Sequence, residues 1–191
     1  MRHNPAASSR HRLSGNAVSS SAVRPLAVGL CFLALLFVAC AGRTPSRPDG
    51  SRLPPGVVCE WTPVVRVVDG DTIRVLRDGA EERVRYIGVD TPELAHPTHG
   101  VEPFGPEAAA YNEELVDGRS LCLETDVSDR DRFGRLLRYA WLEDGTMVNE
   151  LLVAAGMARV ATFPPDVKYT ESLLLPAQQA AAEAGRGLWG R

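Results

Sequence analysis

Lysine is almost absent from this sequence, because Lys168 is the only one among 191 residues. The first 40 residues contain no Asp or Glu. All 24 acidic residues and 17 of the 21 basic residues follow Cys40, so residues 41–191 have a net charge near −7. Proteins that hold long nucleic acids without sequence preference do so through broad basic surfaces. The charge balance excludes such a surface, so any contact with phosphate must be local, through a few arginines or a bound cation.

An apolar run long enough to span a bilayer is also lacking. The uninterrupted run at residues 26–39 has 14 residues, whereas a membrane-spanning helix needs roughly 20. It follows residues 1–25, which contain four arginines and no acid, and this order of a basic start and a short apolar run is typical of a secretory signal peptide. We therefore predict a signal peptide over residues 1–39. A single membrane anchor with a slightly short span is the alternative.

The apolar run ends at a cysteine that is preceded by the small residue Ala39 and followed by two more small residues. The segment resembles the lipobox of bacterial lipoproteins, in which the cysteine is lipidated and becomes the mature N-terminus, although Phe37 stands where leucine is preferred. Residues 40–57, rich in Pro, Gly, Ser and Arg, predict a flexible tether. We expect an exported lipoprotein anchored through Cys40 on the extracytoplasmic side of a membrane. Cleavage and release as a secreted or periplasmic soluble protein is the alternative.

Cysteine is too scarce here for a zinc site. Of the four cysteines, Cys31 and Cys40 lie within or at the end of the predicted signal peptide, which leaves Cys59 and Cys122. Export places this pair in an oxidising compartment, where disulfide formation is the default. We predict a Cys59–Cys122 disulfide, with two separate buried thiols as the alternative.

Residues 58–191 are enough for one domain with its own core. β-branched or alternating stretches separated by turn residues predict five strands, at residues 62–68, 72–76, 82–89, 120–125 and 137–142. Helical patterns occur at residues 105–115, 147–155 and 170–184, and Pro176 inside the last one predicts that the helix begins or bends there. Five strands with one helix between the third and the fourth indicate an α+β fold, a five-stranded Greek-key barrel of the OB type with three helices.

Three short segments at strand ends or turns combine charged residues that suit one chemistry. They are residues 69–72 (DGDT), 85–93 (RYIGVDTPE) and 131–135 (DRFGR). Each alone is equally compatible with an ordinary charged turn. Together they supply carboxylates for a hard divalent cation, arginines that can hold a phosphate and stabilise charge on its oxygens, and a further carboxylate that can activate a water. Strand ends on one rim of a barrel would bring the segments together, and phosphodiester cleavage is the reaction they fit.

These segments, in this order, resemble the signature segments of the staphylococcal nuclease family. The similarity includes VVDGDT, RYIGVDTPE and DRFGR and continues through HPTHGVEPFGPEAAAY, DGTMVNELLVAAGMARV and the closing GRGLW, so that it covers residues 61–189. The resemblance implies a five-stranded OB-type barrel with three helices. It also implies a Ca²⁺-dependent enzyme that cleaves DNA and RNA with little sequence preference and leaves 3′-phosphate ends. We expect a monomer that prefers single-stranded or unstructured substrates.

Metal ligands, phosphate-binding arginines and a general base are the three kinds of site residue that the resemblance implies. The metal ligands are Asp71, Asp90 and the backbone carbonyl of Thr91. The phosphate-binding arginines are Arg85 and Arg135, and the general base is Glu93.

The segment after the second predicted helix departs from the family pattern. There the family has tyrosines that stack on nucleotide bases, whereas residues 160–165 contain none and the next tyrosine is Tyr169. Phe163 is the candidate to replace them. His96 and His99, in the loop beside the predicted site, fit either a second metal or a solvated loop, and the family uses neither.

A nuclease-like module that binds nucleic acid or protein with little or no catalysis is the alternative function. A structural lipoprotein that uses the barrel as a scaffold is a further one. Members of the family that have lost catalysis typically lose one or more site residues, whereas this chain keeps them. The pattern therefore favours an enzyme.

Overall fold

The structure, a computed structural model, describes residues 50–94 and 100–190. The predicted signal peptide, Cys40 and the two loop histidines, His96 and His99, lie outside the described residues, so the lipid anchor and the role of the histidines stay predictions. No helix within residues 50–94 and 100–190 is long and apolar enough to cross a membrane.

Seven strands and three α-helices form the described part of the chain. The strands are β1 (Glu60–Val67), β2 (Thr72–Arg77), β3 (Ala80–Tyr86), β4 (Val89–Asp90), β5 (Ser120–Glu124), β6 (Leu136–Trp141) and β7 (Arg159–Val160). The helices are α1 (Gly105–Val116), α2 (Val148–Ala154) and α3 (Leu175–Glu183), with a π-helical turn (Thr170–Leu174) before α3 and a 3₁₀ turn (Gly187–Trp189) after it. Pro176 lies in the first turn of α3, which agrees with a helix that begins there.

Five of the strands close into a barrel in the order β1-β2-β3-β6-β5, with β5 hydrogen-bonded back to β1. Neighbouring strands are antiparallel except for β3 and β6, which are parallel. Alternate residues face inward, so that Ile73 and Val75 of β2 and Val84 and Tyr86 of β3 are buried in the core. The predicted α+β fold, a five-stranded barrel with three helices, is confirmed.

The predicted third strand, residues 82–89, is wrong at its end. β3 stops at Tyr86, and Gly88 then takes a positive φ of 78°, a conformation that glycine adopts readily and most other residues avoid. The chain resumes as β4, which pairs with β7 in a separate two-stranded sheet. The turn therefore takes the chain out of the barrel, and the Asp90 side chain emerges 62% exposed.

Two buried asparagines tie helices to the backbone around this turn. Asn112 of α1 accepts a hydrogen bond from the Tyr86 hydroxyl (3.0 Å) and donates one to the carbonyl of Asp69 (3.1 Å). Asn149 of α2 donates to the carbonyl of Ile87 (2.9 Å). Because a buried amide left without partners costs about 1–3 kcal/mol, these bonds fix where α1 and α2 pack against the strand ends.

A disulfide joins Cys59 to Cys122, with the two Cα atoms 5.4 Å apart. Cys59 directly precedes β1, and Cys122 lies in β5 opposite Trp61 of β1, so the strand pairing itself brings the two cysteines together. The predicted pairing is confirmed.

The described end of the predicted tether, residues 50–57, contacts the barrel. The Arg52 amide donates a hydrogen bond to the carbonyl of Glu143 (2.8 Å), and the side chains of Leu53 and Val57 pack against the core. These residues therefore belong with the domain, and any free tether ends before them.

Gly88→Ala is expected to destabilise the domain by roughly 2 to 4 kcal/mol, because it combines backbone strain with overpacking. An alanine there would adopt a strained positive φ, and its Cβ would lie 2.5 Å from the Cδ1 atom of the buried Leu174. Gly79→Ala is the matched control, because Gly79 has nearly the same φ, 79°, but its Cβ would meet no atom within 4 Å. The control should cost only about 1 kcal/mol. Urea unfolding measures both, and equal losses would contradict a packing role for Gly88.

Candidate active site

A cleft of about 450 Å³ opens between the β3–β4 turn, the turn at residues 131–135 and the loop that follows β7. Three of the predicted site residues line it, namely Arg85, Asp90 and Arg135. The two arginines come from neighbouring parallel strands: Arg85 lies in β3 opposite Leu137 of β6, and Arg135 directly precedes β6. The closure of the barrel thus brings together residues that are distant in the sequence.

Arg85 is held by bonds to both of its terminal nitrogens. Nη1 donates to the backbone carbonyls of Tyr86 (2.9 Å) and Val89 (2.6 Å), which brackets the turn between β3 and β4. Nη2 contacts Oδ1 of Asp90 at 2.8 Å and Oδ2 of Asp71 at 3.0 Å. The Arg85 side chain is only 13% exposed, so its charge is fixed in place before any ligand arrives.

Asp71 is the most enclosed carboxylate of this cluster, with a side chain 7% exposed. Its Oδ1 accepts a bond from the Thr72 hydroxyl (3.1 Å), and its Oδ2 accepts bonds from the amide (3.0 Å) and the hydroxyl (3.1 Å) of Thr91. The preceding residues explain why the turn has this sequence. Asp69 caps the turn by accepting from the Asp71 amide (3.1 Å), and a Cβ on Gly70 would lie 2.6 Å from the Thr91 hydroxyl oxygen.

The charges of the cluster do not balance. Burial raises the pKa of Asp71 to about 7, even though the Arg85 guanidinium acts to lower it, and the neighbouring Asp69 and Asp90 add to the rise. Two carboxylates, Asp71 and Asp90, converge on the single guanidinium of Arg85. With both carboxylates ionised the cluster carries one negative charge in excess, which a bound cation would offset.

Arg135 stands on another wall of the same cleft. It follows Gly134, which has a positive φ of 78°, and its Nε donates a hydrogen bond to Oδ2 of Asp131 at 2.7 Å. Its guanidinium carbon lies 5.6 Å from the centre of the Phe133 ring. The side chain is 22% exposed, so it is steadied by the turn while remaining accessible from the cleft.

Glu93 is exposed and is not among the residues that line the cleft. Its backbone is fixed, because its amide donates to the Glu102 carboxylate (3.1 Å) and its carbonyl accepts from the Glu102 amide (3.0 Å). A Cβ on Gly105, at the start of α1, would lie 2.7 Å from that carbonyl oxygen. Its carboxylate bonds with no residue in the part of the chain that the structure describes. Thr91, by contrast, lies directly against Asp71.

Two exposed phenylalanines also line the cleft: Phe133 is 66% and Phe163 is 73% exposed. Phe163 was expected from the sequence as a replacement for the family's tyrosines. The sequence-based expectations include neither Phe133 as a cleft residue nor the bond from Arg135 to Asp131. An aromatic residue between two arginines in a charged turn is the signal that points to Phe133. Arg132 lies over the Phe133 ring, 4.7 Å from its centre.

The donor set suits a hard cation with few protein ligands. Within residues 50–94 and 100–190, no group of three or more His, Cys, Asp and Glu side chains converges. The carboxylates of Asp71 and Asp90 meet at one nitrogen of Arg85, and the amide of Thr91 donates to Asp71. Oxygen donors of this kind fit Ca²⁺ or Mg²⁺, for which water completes the coordination. Barrel and cleft together define the class: an OB-type barrel with an acid–arginine cleft at one rim.

Comparison with known proteins gives the family. The sequence profile described as Staphylococcal nuclease homologue matches residues 83–191. Thermonucleases from Staphylococcus hyicus and Staphylococcus intermedius are 40% and 41% identical over 126 and 128 residues, which is 66% and 67% of this chain and 73% and 75% of theirs. Endonuclease YncB of Bacillus subtilis (strain 168) is 44% identical over 120 residues, 62% of this chain and 56% of that relative. The chain belongs to the staphylococcal nuclease family.

Asp71→Asn is expected to change the pH dependence of folding stability. Between the ordinary pKa of 3.8 and the folded-state value of about 7, the folded protein keeps a proton on Asp71 that the unfolded chain has lost. Raising the pH across this window therefore lowers the free energy of unfolding. At about 1.4 kcal/mol for each pKa unit, the loss is roughly 2 to 4 kcal/mol, and the variant should not show it.

Urea unfolding at several pH values, in the presence of a metal chelator, measures this difference. Asp78→Asn is the control, because Asp78 lies in the exposed β2–β3 turn with a φ of 51°, which asparagine tolerates. The control should keep the wild-type slope. If the free energy of unfolding depends on pH in the same way in the wild type and in Asp71→Asn between pH 4 and pH 7, Asp71 does not titrate in this window.

Proposed function

We propose that this domain hydrolyses phosphodiester bonds in DNA and RNA with little sequence preference, depends on Ca²⁺ and leaves 3′-phosphate ends. The observation that carries the proposal is the meeting of Arg85, Asp90 and Arg135 in one cleft, with Asp71 bonded to Arg85 beside it. The thermonuclease and endonuclease relatives support a nuclease function. The profile match covers Arg85, Asp90, Thr91, Glu93 and Arg135, whereas Asp71 precedes it.

The two arginines supply the positive charge that a phosphodiester needs. Arg85 is fixed by four bonds and acts as a preorganised charge, and Arg135, directly before β6, lines the same cleft. As a pentavalent phosphorane forms, negative charge grows on the phosphate oxygens, and fixed cations stabilise it without reorganising. Because the domain has a net negative charge, a phosphate would be bound by these two arginines and not by a broad basic surface.

Asp71, Asp90 and the carbonyl of Thr91 are the residues that would hold Ca²⁺. When bound, the ion supplies additional positive charge beside the scissile phosphate. The excess negative charge of the two carboxylates on Arg85 supports a cation at this place. The exposure of Asp90, 62%, gives the ion and its water ligands access from solvent.

Glu93 is proposed as the general base. Its carboxylate takes a proton from a water molecule, whose oxygen forms a bond to phosphorus while the bond from phosphorus to the 5′ oxygen breaks. The electron pair of that bond stays on the 5′ oxygen, which takes a proton from solvent, so the products are a 3′-phosphate and a 5′-hydroxyl. A solvent-exposed carboxylate with no partner among the described residues is free for this role.

Phe133 and Phe163 suit the bases on either side of the scissile phosphate. Both rings are exposed and line the cleft. A ring of this kind gains about 1–3 kcal/mol by stacking on an unpaired base and does not discriminate between sequences. The arrangement therefore favours single-stranded or unstructured substrates over duplexes.

A nuclease-like module that binds nucleic acid or protein without efficient cleavage is the second candidate. The observation that favours it is the position of Glu93, which lies outside the residues that line the cleft.

Cleavage assays separate the two functions. The chain from residue 50 onward, incubated with single-stranded DNA or RNA, should cut both with Ca²⁺ and neither with a chelator. The fragments should accept a labelled phosphate at the 5′ end at once, but allow extension at the 3′ end only after phosphatase treatment. Binding without cleavage at every pH from neutral to about 10 would favour the binding module and reject the enzyme.

Arg85→Ala and Glu93→Gln are each expected to lower the cleavage rate by at least about 100-fold, the scale for loss of charge stabilisation or of a general base. Arg74→Ala and Glu81→Gln are the matched controls, because they remove the same residue types from an exposed ion pair (3.3 Å) away from the cleft. Both controls should cleave at the wild-type rate. Near-normal cleavage by either site variant would show that its residue has been assigned wrongly.

A further inference from the structure

The turn at residues 131–135 is folded around one carboxylate. Oδ1 of Asp131 accepts hydrogen bonds from the amides of Phe133 and Arg135, both at 2.9 Å, and Oδ2 accepts one from Nε of Arg135 at 2.7 Å. Although partial burial opposes ionisation, these bonds hold the pKa of Asp131 below its ordinary value. The two oxygens have separate tasks: one folds the backbone of the turn and the other holds the Arg135 side chain.

The bond through Nε leaves the outer edge of the Arg135 guanidinium open. Neither Nη1 nor Nη2 of Arg135 bonds with any residue in the described ranges 50–94 and 100–190. Two parallel N–H groups of a guanidinium bind two phosphate oxygens at once, and the Nη1–Nη2 pair offers such an edge. Since Arg135 lines the cleft, this edge is available to a phosphate that enters it.

Two other arginines of the same hairpin are held in a different way. Arg130 uses both terminal nitrogens on Glu82, at 3.0 and 2.8 Å. Arg138 uses Nη2 on Asp129, at 2.6 Å, and Nη1 on backbone carbonyls. Their outer edges are occupied by the protein, so they stabilise the fold. Among these three arginines, Arg135 alone keeps its outer edge free of the described residues.

We propose that Asp131 is a positioning residue, which holds Arg135 by Nε so that Nη1 and Nη2 point to the phosphate. The proposal deepens the proposed function and rests on it, because it concerns how Arg135 contacts the phosphate. A guanidinium held before the substrate arrives does not have to be ordered by the substrate. Asp131 thereby acts on the reaction through Arg135 and does not itself touch the phosphate, which it would repel.

Asp131→Asn separates the two tasks of the carboxylate. The asparagine carbonyl can still accept from the amides of Phe133 and Arg135, whereas its NH₂ group cannot accept from Nε. We expect kcat/KM on single-stranded DNA to fall at least about tenfold, through a higher KM as well as a lower kcat, since Arg135 would contact the phosphate both before and in the transition state. In an Arg135→Ala background, the same substitution should have no further effect. Glu81→Gln, which breaks the Arg74 ion pair (3.3 Å) away from the cleft and the turn, is the control and should leave kcat/KM unchanged.

Nitrogen-15 NMR of the arginine side chains gives a measurement that needs no cleavage. In the wild type, the Nε–H of Arg135 should exchange slowly with water, and its signal should shift when inorganic phosphate is added. In Asp131→Asn the exchange should be fast, and the affinity for inorganic phosphate should fall at least about fivefold.

Two results would overturn the proposal: an equal loss of kcat/KM from Asp131→Asn in the wild-type and Arg135→Ala backgrounds, or an unchanged phosphate affinity. A wild-type protein that cleaves no nucleic acid would reject the proposed function instead. In that case the phosphate titration still decides whether Asp131 positions Arg135.

Discussion

A guanidinium inside a β-strand has N–H groups that need acceptors, and the two terminal nitrogens of Arg85 find them on separate segments of the chain. Its Nη1 binds the carbonyls of Tyr86 and Val89, on both sides of the turn that leaves the barrel, and its Nη2 binds Asp71 and Asp90. Strand β3, the turn before β2 and strand β4 are therefore held by one side chain. Because both carboxylates bind the same guanidinium, they stay close to each other despite their mutual repulsion. The cluster is therefore the structural anchor of this rim of the barrel.

The two arginines of the cleft differ in how far their guanidinium groups are already bonded to the protein. Arg85 is committed to the protein through four contacts, so it stabilises charge in place but has little freedom to follow a ligand. Within the described residues, the Arg135 side chain is held by one bond, to Asp131, and its Nη1 and Nη2 bond with no other residue. The division matters in an acidic domain, because no long-range attraction gathers a polyanion onto its surface. Affinity for a phosphate must then come from contacts inside the cleft. Hydrogen-bond donors that are already in position increase this affinity, because the ligand does not have to order them.

The barrel could be predicted from the sequence because alternation and turn residues act locally. The same signals misplaced the end of the third strand, since the apolar residues around Gly88 continue the strand pattern while its positive φ ends it. The residues of the cluster were found by resemblance, but their bonds were not, because Asp71 meets Arg85 only after β2 and β3 have paired. Asp131 looked like an ordinary turn residue for the same reason. Its bond to Arg135 spans four positions and forms only when Gly134 closes the turn.

The two loops that contain the phenylalanines of the cleft are joined to each other by hydrogen bonds. Phe133 lies in the loop between β5 and β6, and Phe163 lies in the loop after β7, so neither ring belongs to a barrel strand. Asp166 accepts hydrogen bonds from the amides of residues 127 and 128, at 3.0 and 2.7 Å, and Asp126 accepts one from the amide of Lys168, at 3.0 Å. Each loop supplies the carboxylate that satisfies amides of the other, so neither loop can rearrange without leaving polar groups of both unpaired. This reciprocal pairing therefore ties the loop that contains Phe163 to the loop that leads to Phe133, whereas the barrel fixes where the two loops begin.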